Sequence, residues 1–250
     1  MRHALITAGS KGLGKRVVEE LIADGYSVTI NYREDEEAVE RLRQEFSDKL
    51  ERIQFVKGDV TSKTDLTQLV KQAYDRFSRI DVLILNAGPY IFERKKLVDY
   101  SDEEWDQMVN GNLSSAFYLF KEIIPVMREQ KYGRIITYGF QDAQHAPGWI
   151  YRSAFAAAKA GLVSLTKTVS IEEAPNGITA NMVCPGKITG EMKEASIAEA
   201  VADTETPVGR AGTGEDIART VKFLCDPESD LITGAILEVT GGVNVLHKYR

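Results

Sequence analysis

Apolar residues fall along this chain in two alternating patterns, short continuous runs and longer segments in which they recur every three or four positions. The short runs are Ala4-Leu5-Ile6-Thr7, residues 27–32, residues 53–56, Val82-Leu83-Ile84-Leu85, and residues 134–138, 178–183 and 235–239. Runs of this length predict strands, and the wholly apolar Val82-Leu83-Ile84-Leu85 predicts a parallel strand covered on both faces. Between them, Val17, Val18, Leu21 and Ile22 share one helical face that ends near Gly25. A charged amphipathic helix is predicted over 35–46, and Leu66, Leu69, Val70, Ala73 and Phe77 give a clear 3.6-residue period. One long helix is predicted to carry Leu113, Ala116, Phe117, Phe120, Ile124 and Met127, with further helices over 153–170 and 216–224. Residues 186–212 are polar with several glycines and read as a lid. Strands alternating with helices predict an α/β fold, a doubly wound parallel sheet of about seven strands with helices on both faces, spanning 1–250 as a single domain.

Composition narrows the function classes. The chain has 250 residues, 43% hydrophobic and 27% charged, with a formal net charge of −6. That is enough chain for one substantial core. The two signs of charge are interspersed with no long Lys/Arg stripe, which argues against a nucleic-acid partner. Glu34-Asp35-Glu36-Glu37, the densest acidic run, is expected to open a helix, where carboxylates suit the positive end of the dipole. No stretch approaches the ~20 apolar residues of a membrane span, and the apolar run after Met1-Arg2-His3 is too short for a signal peptide. Cys184 and Cys225 lie far apart without metal-ligand spacing, so no metal is expected, and a reducing cytoplasm fits best.

Candidate chemistry begins at the first strand's end. Thr7-Ala8-Gly9-Ser10-Lys11-Gly12-Leu13-Gly14 is a Gly-rich turn between a strand and a helix, which lets a phosphate approach backbone N–H groups at a helix N-terminus. This is the Rossmann-type arrangement, and the strand–turn–helix context makes it more specific than three glycines alone. Asp59, followed by Val60 at the third strand's end, is placed to accept from an adenine amino group or to cap the next helix. The second strand ends at Asn31-Tyr32-Arg33, with no carboxylate to hold ribose hydroxyls, and Lys11 sits in the loop. Two cations there favour NADP over NAD.

Together these segments resemble the short-chain dehydrogenase/reductase family over almost the full length, with the 3-oxoacyl-carrier-protein reductases the most similar subgroup. The glycine loop looks like the family's cofactor loop, and Leu85-Asn86-Ala87-Gly88 like its sheet-stabilising motif. Asn112-Leu113-Ser114-Ser115 matches the segment bearing its active-site Asn. Pro185-Gly186 with Ile188, Ile232-Thr233-Gly234 and Gly241-Gly242 match its closing motifs. The resemblance implies an NADP(H)-dependent oxidoreductase, a small-molecule substrate and a homo-oligomer, dimer or tetramer, built through helices near 112–130 and 153–170 and the C-terminal strand.

In that family a Tyr hydroxyl supplies the proton, a Lys lowers its pKa and holds the nicotinamide ribose, a Ser orients the carbonyl, and an Asn supports a water relay. The resemblance puts the Asn at Asn112 and the Lys at Lys159, but the Tyr at Phe155 and the Ser at Phe140. A hydrocarbon ring neither donates nor accepts a proton, so the usual mechanism is not expected to run unchanged. The family's first loop glycine falls on Ala8, where a positive φ would cost about 1 kcal/mol. The Thr expected to hold the carboxamide falls near Gly190, beside Thr189. Two readings follow. One is a catalytically degenerate member that binds NADP(H) in a drier pocket, or has lost even that. The other is a working reductase with a relocated acid, for which Tyr151 is the leading candidate if the helix reaches it. Tyr138, Asp142 and His145 are weaker ones, with ordinary roles as a strand aromatic, a turn cap and a loop His.

Overall fold

The computed structural model describes residues 1–246. Seven strands form one sheet: β1 (His3–Ile6), β2 (Ser27–Tyr32), β3 (Ile53–Lys57), β4 (Val82–Leu85), β5 (Gly133–Tyr138), β6 (Ile178–Pro185) and β7 (Ile236–Val239). Their order is β3-β2-β1-β4-β5-β6-β7, and every pairing is parallel. The helices are α1 (Gly12–Ala23), α2 (Glu36–Glu45), α3 (Lys63–Phe77), α4 (Asp102–Val109), α5 (Ser115–Gln130), α6 (Ser153–Glu172) and α7 (Gly214–Cys225).

Successive residues of β1 point to opposite cores. Ala4 and Ile6 join the layer made with Val17, Leu21, Ile217 and Val221, while Leu5 joins the layer made with Leu66, Leu119, Ile123 and Leu162. Both faces of the strand are therefore dry, which is why it reads as an unbroken apolar run. Strand order reverses between β1 and β4, and the crevice outside the carboxyl ends of strands at such a switch point is where an open α/β sheet binds ligands.

Three local expectations need correction. The long helix predicted to carry Leu113 to Met127 is α5, which starts only at Ser115; Leu113 lies in a π turn, Asn110–Ser114, that joins it to the unpredicted α4. A capping box opens α4, with the Ser101 side chain accepting from Glu104 N and the Glu104 carboxylate accepting from Ser101 N. The 186–212 segment contains short 3-10 turns at Gly190–Lys193 and Ile197–Glu199 and an antiparallel bridge between Ala202 and Arg210. Finally, α6 starts at Ser153 and does not reach Tyr151, which has φ +62°. Arg152, the cap residue, lies at φ −134° and ψ 29°, neither helical nor extended.

Candidate active site

The glycine loop is shaped from the neighbouring strand. Asn86 Nδ2, just past β4, donates to the carbonyls of Thr7 (3.1 Å) and Ala8 (2.9 Å). The Thr7 hydroxyl accepts from Ala87 N at 2.9 Å. A β-carbon at Gly14 would stand 2.5 Å from the Ala8 oxygen and 2.6 Å from Asn86 Nδ2, so only glycine allows this approach. Ala8 adopts φ +50°, the strained conformation its alignment to a glycine predicts. Leu13 packs into the core under α1, and a β-carbon at Gly9 would press on Ile30 and Ile6.

Beside this loop runs a cleft of about 700 Å³. Ser10, Lys11, Asn31, Arg33, Asp59, Val60, Ala87 and Gly88 all line it, together with Ala8 and Phe92. Thr7, Gly9, Gly12, Leu13, Gly14, Asn86, Pro185, Gly186 and Ile188 are not in its wall. Asn31 acts as a rim anchor: its amide receives from Ala8 N (3.3 Å) and donates to the Gly58 carbonyl (2.9 Å). Asp59 does not cap α3, whose N-cap is Ser62. Instead Asp59 Oδ1 accepts from both the backbone and the hydroxyl of Thr61, each at 2.8 Å, and its Oδ2 lies 3.9 Å from Arg33. The cleft also holds carboxylates that the strand-end reading overlooked. Asp35, the N-cap of α2, pairs with Lys11 at 2.8 Å, and Glu34 lies 3.3 Å from Arg33. The Lys11 bond holds the Asp35 carboxyl below its usual range.

Pro185 ends β6, and Gly186 N donates to the Val239 carbonyl at 2.9 Å. A β-carbon at Gly186 would lie 2.6 Å from the Thr240 Cα. Ile188 is buried in the α1/α7 layer, and Gly190 opens the first lid turn at φ +55°.

At the catalytic end Asn112 lies in the π turn, a local widening common at functional sites. Its Nδ2 donates to the carbonyls of Pro89 (2.9 Å) and Met108 (3.0 Å), while its buried Oδ1 has no partner. A β-carbon at Gly88 would stand 2.4 Å from that oxygen and 3.5 Å from Lys159 Nζ, so the three positions converge. Lys159 is 4% exposed, and burial pushes its ammonium down to about 8. Cys184 nearby stays a thiol, because burial pushes it up to about 12.

Around Lys159 the wall is aromatic. Its Nζ lies 5.6 Å from the centre of the Phe155 ring. Phe155 is 6.2 Å from Phe140 and 6.1 Å from Trp149, and Phe140 is 5.1 Å from Trp149, measured between ring centres. Tyr90 meets Phe155 edge to face at 5.0 Å. Tyr151 turns elsewhere: Arg94 lies over its ring at 5.9 Å, and its carbonyl accepts from the Tyr100 hydroxyl. Tyr138 is buried in the opposite layer, and burial pushes its phenol far up. His145 and Asp142 pair with each other at 3.2 Å in an exposed turn.

Two residues at this site went unread in the sequence. Tyr90, two residues past the Asn86-Ala87-Gly88 motif, brings the hydroxyl-bearing ring nearest to Phe155. Arg152 holds it there: its Nε donates to the Tyr90 hydroxyl, and its other nitrogens donate to the carbonyls of Phe92, Glu93 and Tyr151. Pro89 immediately before Tyr90 was the one turn signal pointing to this loop.

The residues present fit a dinucleotide: a glycine loop at a helix N-terminus, an adjoining cleft with cations at one end, and an amine with an unpartnered buried amide oxygen at the other. A family model described as Enoyl-(Acyl carrier protein) reductase matches residues 7–244. "Putative oxidoreductase YtkK" of Bacillus subtilis (strain 168) is 66% identical over 251 residues, covering 99% of this chain and 98% of that one. The 3-oxoacyl-[acyl-carrier-protein] reductase FabG of Staphylococcus epidermidis (strain ATCC 12228 / FDA PCI 1200) is 32% identical over 246 residues, covering 97% and 98%. Among solved structures, "Structure of putative 3-oxoacyl-reductase from bacillus thuringiensis" superposes with a TM-score of 0.94 at 62% identity, covering 99% of this chain and 100% of that one. The chain belongs to the short-chain dehydrogenase/reductase family, an oxidoreductase family, and is related to the 3-oxoacyl-carrier-protein reductases.

Proposed function

We propose that this chain binds NADP(H) in the cleft beside the glycine loop and is impaired in the family's usual carbonyl reduction. The observation that supports the reading is the aromatic wall at Lys159, made by Phe155 and Phe140, the two positions at which the family resemblance expects hydroxyls. When bound, the cofactor supplies the hydride. The chain's own residues would cradle phosphates at the start of α1, meet a 2′-phosphate with Lys11 and Arg33, and hold the ribose with Lys159. Lys11 is 65% exposed and its pair with Asp35 is a surface pair, worth at most about 1 kcal/mol, so it can change partners at little cost. The Phe155 and Phe140 rings themselves carry no proton donor, and losing one such group commonly costs ~10²–10⁴ in rate.

The test is a fluorescence titration with NADPH, followed by assays on 3-oxoacyl thioesters and quinones. Saturable binding with turnover far below that of active relatives is expected. Turnover matching theirs would overturn the impaired reading.

A second reading keeps a working NADPH-dependent reductase with a relocated hydroxyl. The edge-to-face contact at 5.0 Å favours Tyr90 for that role over Tyr151, whose ring lies against Arg94. Loss of turnover in Tyr90→Phe but not in Tyr151→Phe would support it. We also propose a cytoplasmic homo-oligomer, dimer or tetramer, through α5, α6 and the C-terminal strand. Phe117 on α5 (47% exposed) and Ile171 on α6 (75% exposed) support an apolar contact there. Among the described residues no helix is long and apolar enough to cross a membrane, and no group of residues is arranged to hold a metal.

A further inference from the structure

The lid places an acid on the cofactor loop. Glu194, just past the Gly190–Lys193 turn, accepts from Gly12 N through Oε1 at 2.7 Å, and its Oε2 lies 3.8 Å from Lys15 Nζ. Gly12 is the first residue of α1, so this carboxylate sits on the positive end of that helix. The segment is moored at its far side. Ile197 N donates to Glu215 at 2.7 Å, and Glu215 N donates to the Ala195 carbonyl at 3.3 Å. Gly214, against which the Lys193 carbonyl packs, leaves no room for a β-carbon. Between the turn and α1 an open cleft of about 570 Å³, lined by Lys11, Gly12, Gly190, Glu191, Lys193 and Glu194, gives the side chain somewhere to withdraw.

We propose that Glu194 is an internal competitor for the phosphate seat at the start of α1, setting the affinity of the dinucleotide site. This rests on reading the main cleft as the NADP(H) site. A pyrophosphate placed at the α1 N-terminus would meet a carboxylate already holding its first N–H, and two anions at that distance repel. Binding therefore requires Glu194 to move aside, with Lys15 at 3.8 Å as the nearest cation to draw it off. The like-charge contact is only part-shielded, since the Glu194 side chain is 43% exposed.

The experiment compares NADPH binding, followed by its fluorescence, in the wild type, Glu194→Gln and Glu191→Gln. Gln keeps the shape and removes the charge, and is expected to tighten binding about three- to tenfold, less at high salt. Glu191 lines the same cleft, but it is Glu194 that holds Gly12 N, so the Glu191 variant should tighten binding far less than Glu194→Gln does. Glu194→Ala, which also removes the acceptor, should tighten binding in the same direction. Unchanged binding in both Glu194 variants would overturn the proposal. Weakened binding would also overturn it, because Glu194 would then be a latch closing the lid over the cofactor, and the NADP(H) reading would stand. Absence of NADPH binding in every protein would overturn the cofactor reading and the competition with it.

Discussion

Lys159 Nζ lies 5.6 Å from the centre of the Phe155 ring, one helical turn apart on the same face of α6. Residues four apart on a helix are neighbours, so Lys159 carries its amine over a hydrocarbon face.

Restoring the hydroxyls should restore chemistry if the rest of the site is intact. Phe155→Tyr with Phe140→Ser is expected to reduce 3-oxoacyl thioesters at least ~10²-fold faster than the wild type, with either single variant well behind, because groups acting as a unit are non-additive. Steady-state assays with NADPH check it. An inert double variant that binds NADPH would locate the defect elsewhere in the pocket.

Lys159 should make the protein more stable in alkali than at neutrality. Its ammonium titrates at about 8 in the fold against 10.5 unfolded, so between those values the unfolded chain holds the extra proton. Stability then rises with pH across that window, by on the order of 3 kcal/mol at most. Lys159→Met should be more stable than the wild type at pH 7 and lack the rise, which urea denaturation between pH 7 and 10 measures.

His3 predicts the opposite edge of the profile. Burial, opposed by a bond from its ring to the Arg79 carbonyl, lowers it from 6.5 to about 4. The unfolded chain binds the proton first as pH falls, so stability present above about 6.5 is lost progressively down to about 4. His3→Gln should flatten that part of the curve while lowering stability at pH 7, since the ring also bonds Thr29 at 2.9 Å.

Ala8→Gly removes a β-carbon from a backbone at φ +50°. Relief of the left-handed strain, offset by the entropy glycine loses on folding, should leave a gain of up to about 1 kcal/mol in thermal or urea stability. NADPH should bind at least as tightly, because the phosphate approach is less crowded.

Arg152→Ala should loosen the loop over 90–93. It removes bonds to the Tyr90 hydroxyl and to the Phe92 and Glu93 carbonyls, and a cation stacked 4.9 Å from the centre of the Tyr90 ring. Hydrogen exchange in that loop should quicken, with roughly 1–3 kcal/mol lost overall.

The strands were legible because a parallel sheet buried on both faces leaves no polar alternation to blur them, as in Val82-Leu83-Ile84-Leu85. Helix α4 was not, because its apolar residues Trp105, Met108 and Val109 span little more than one turn, too short to set a period. Its Ser101–Glu104 box was the readable mark. The glycine loop was readable from its strand–turn–helix context, and Asn112 and Lys159 through the family resemblance, whereas their convergence beside Gly88 is a product of the fold. Tyr151 was misplaced because helical spacing was extended past Arg152, into a turn that Pro147-Gly148 foreshadow. Contacts set only by the tertiary fold were out of reach: Glu194 finds Gly12 across 182 residues, and Asp35 meets Lys11 because α2 begins beside the loop.

Asn86 carries a thermodynamic consequence. By tying the Thr7 and Ala8 carbonyls to the end of β4, it gives the glycine loop the stiffness of the central sheet. A nucleotide would then dock without first having to freeze that loop. Its association should register in calorimetry with little ordering entropy from this side of the cleft, and whatever conformational cost appears should come from the lid.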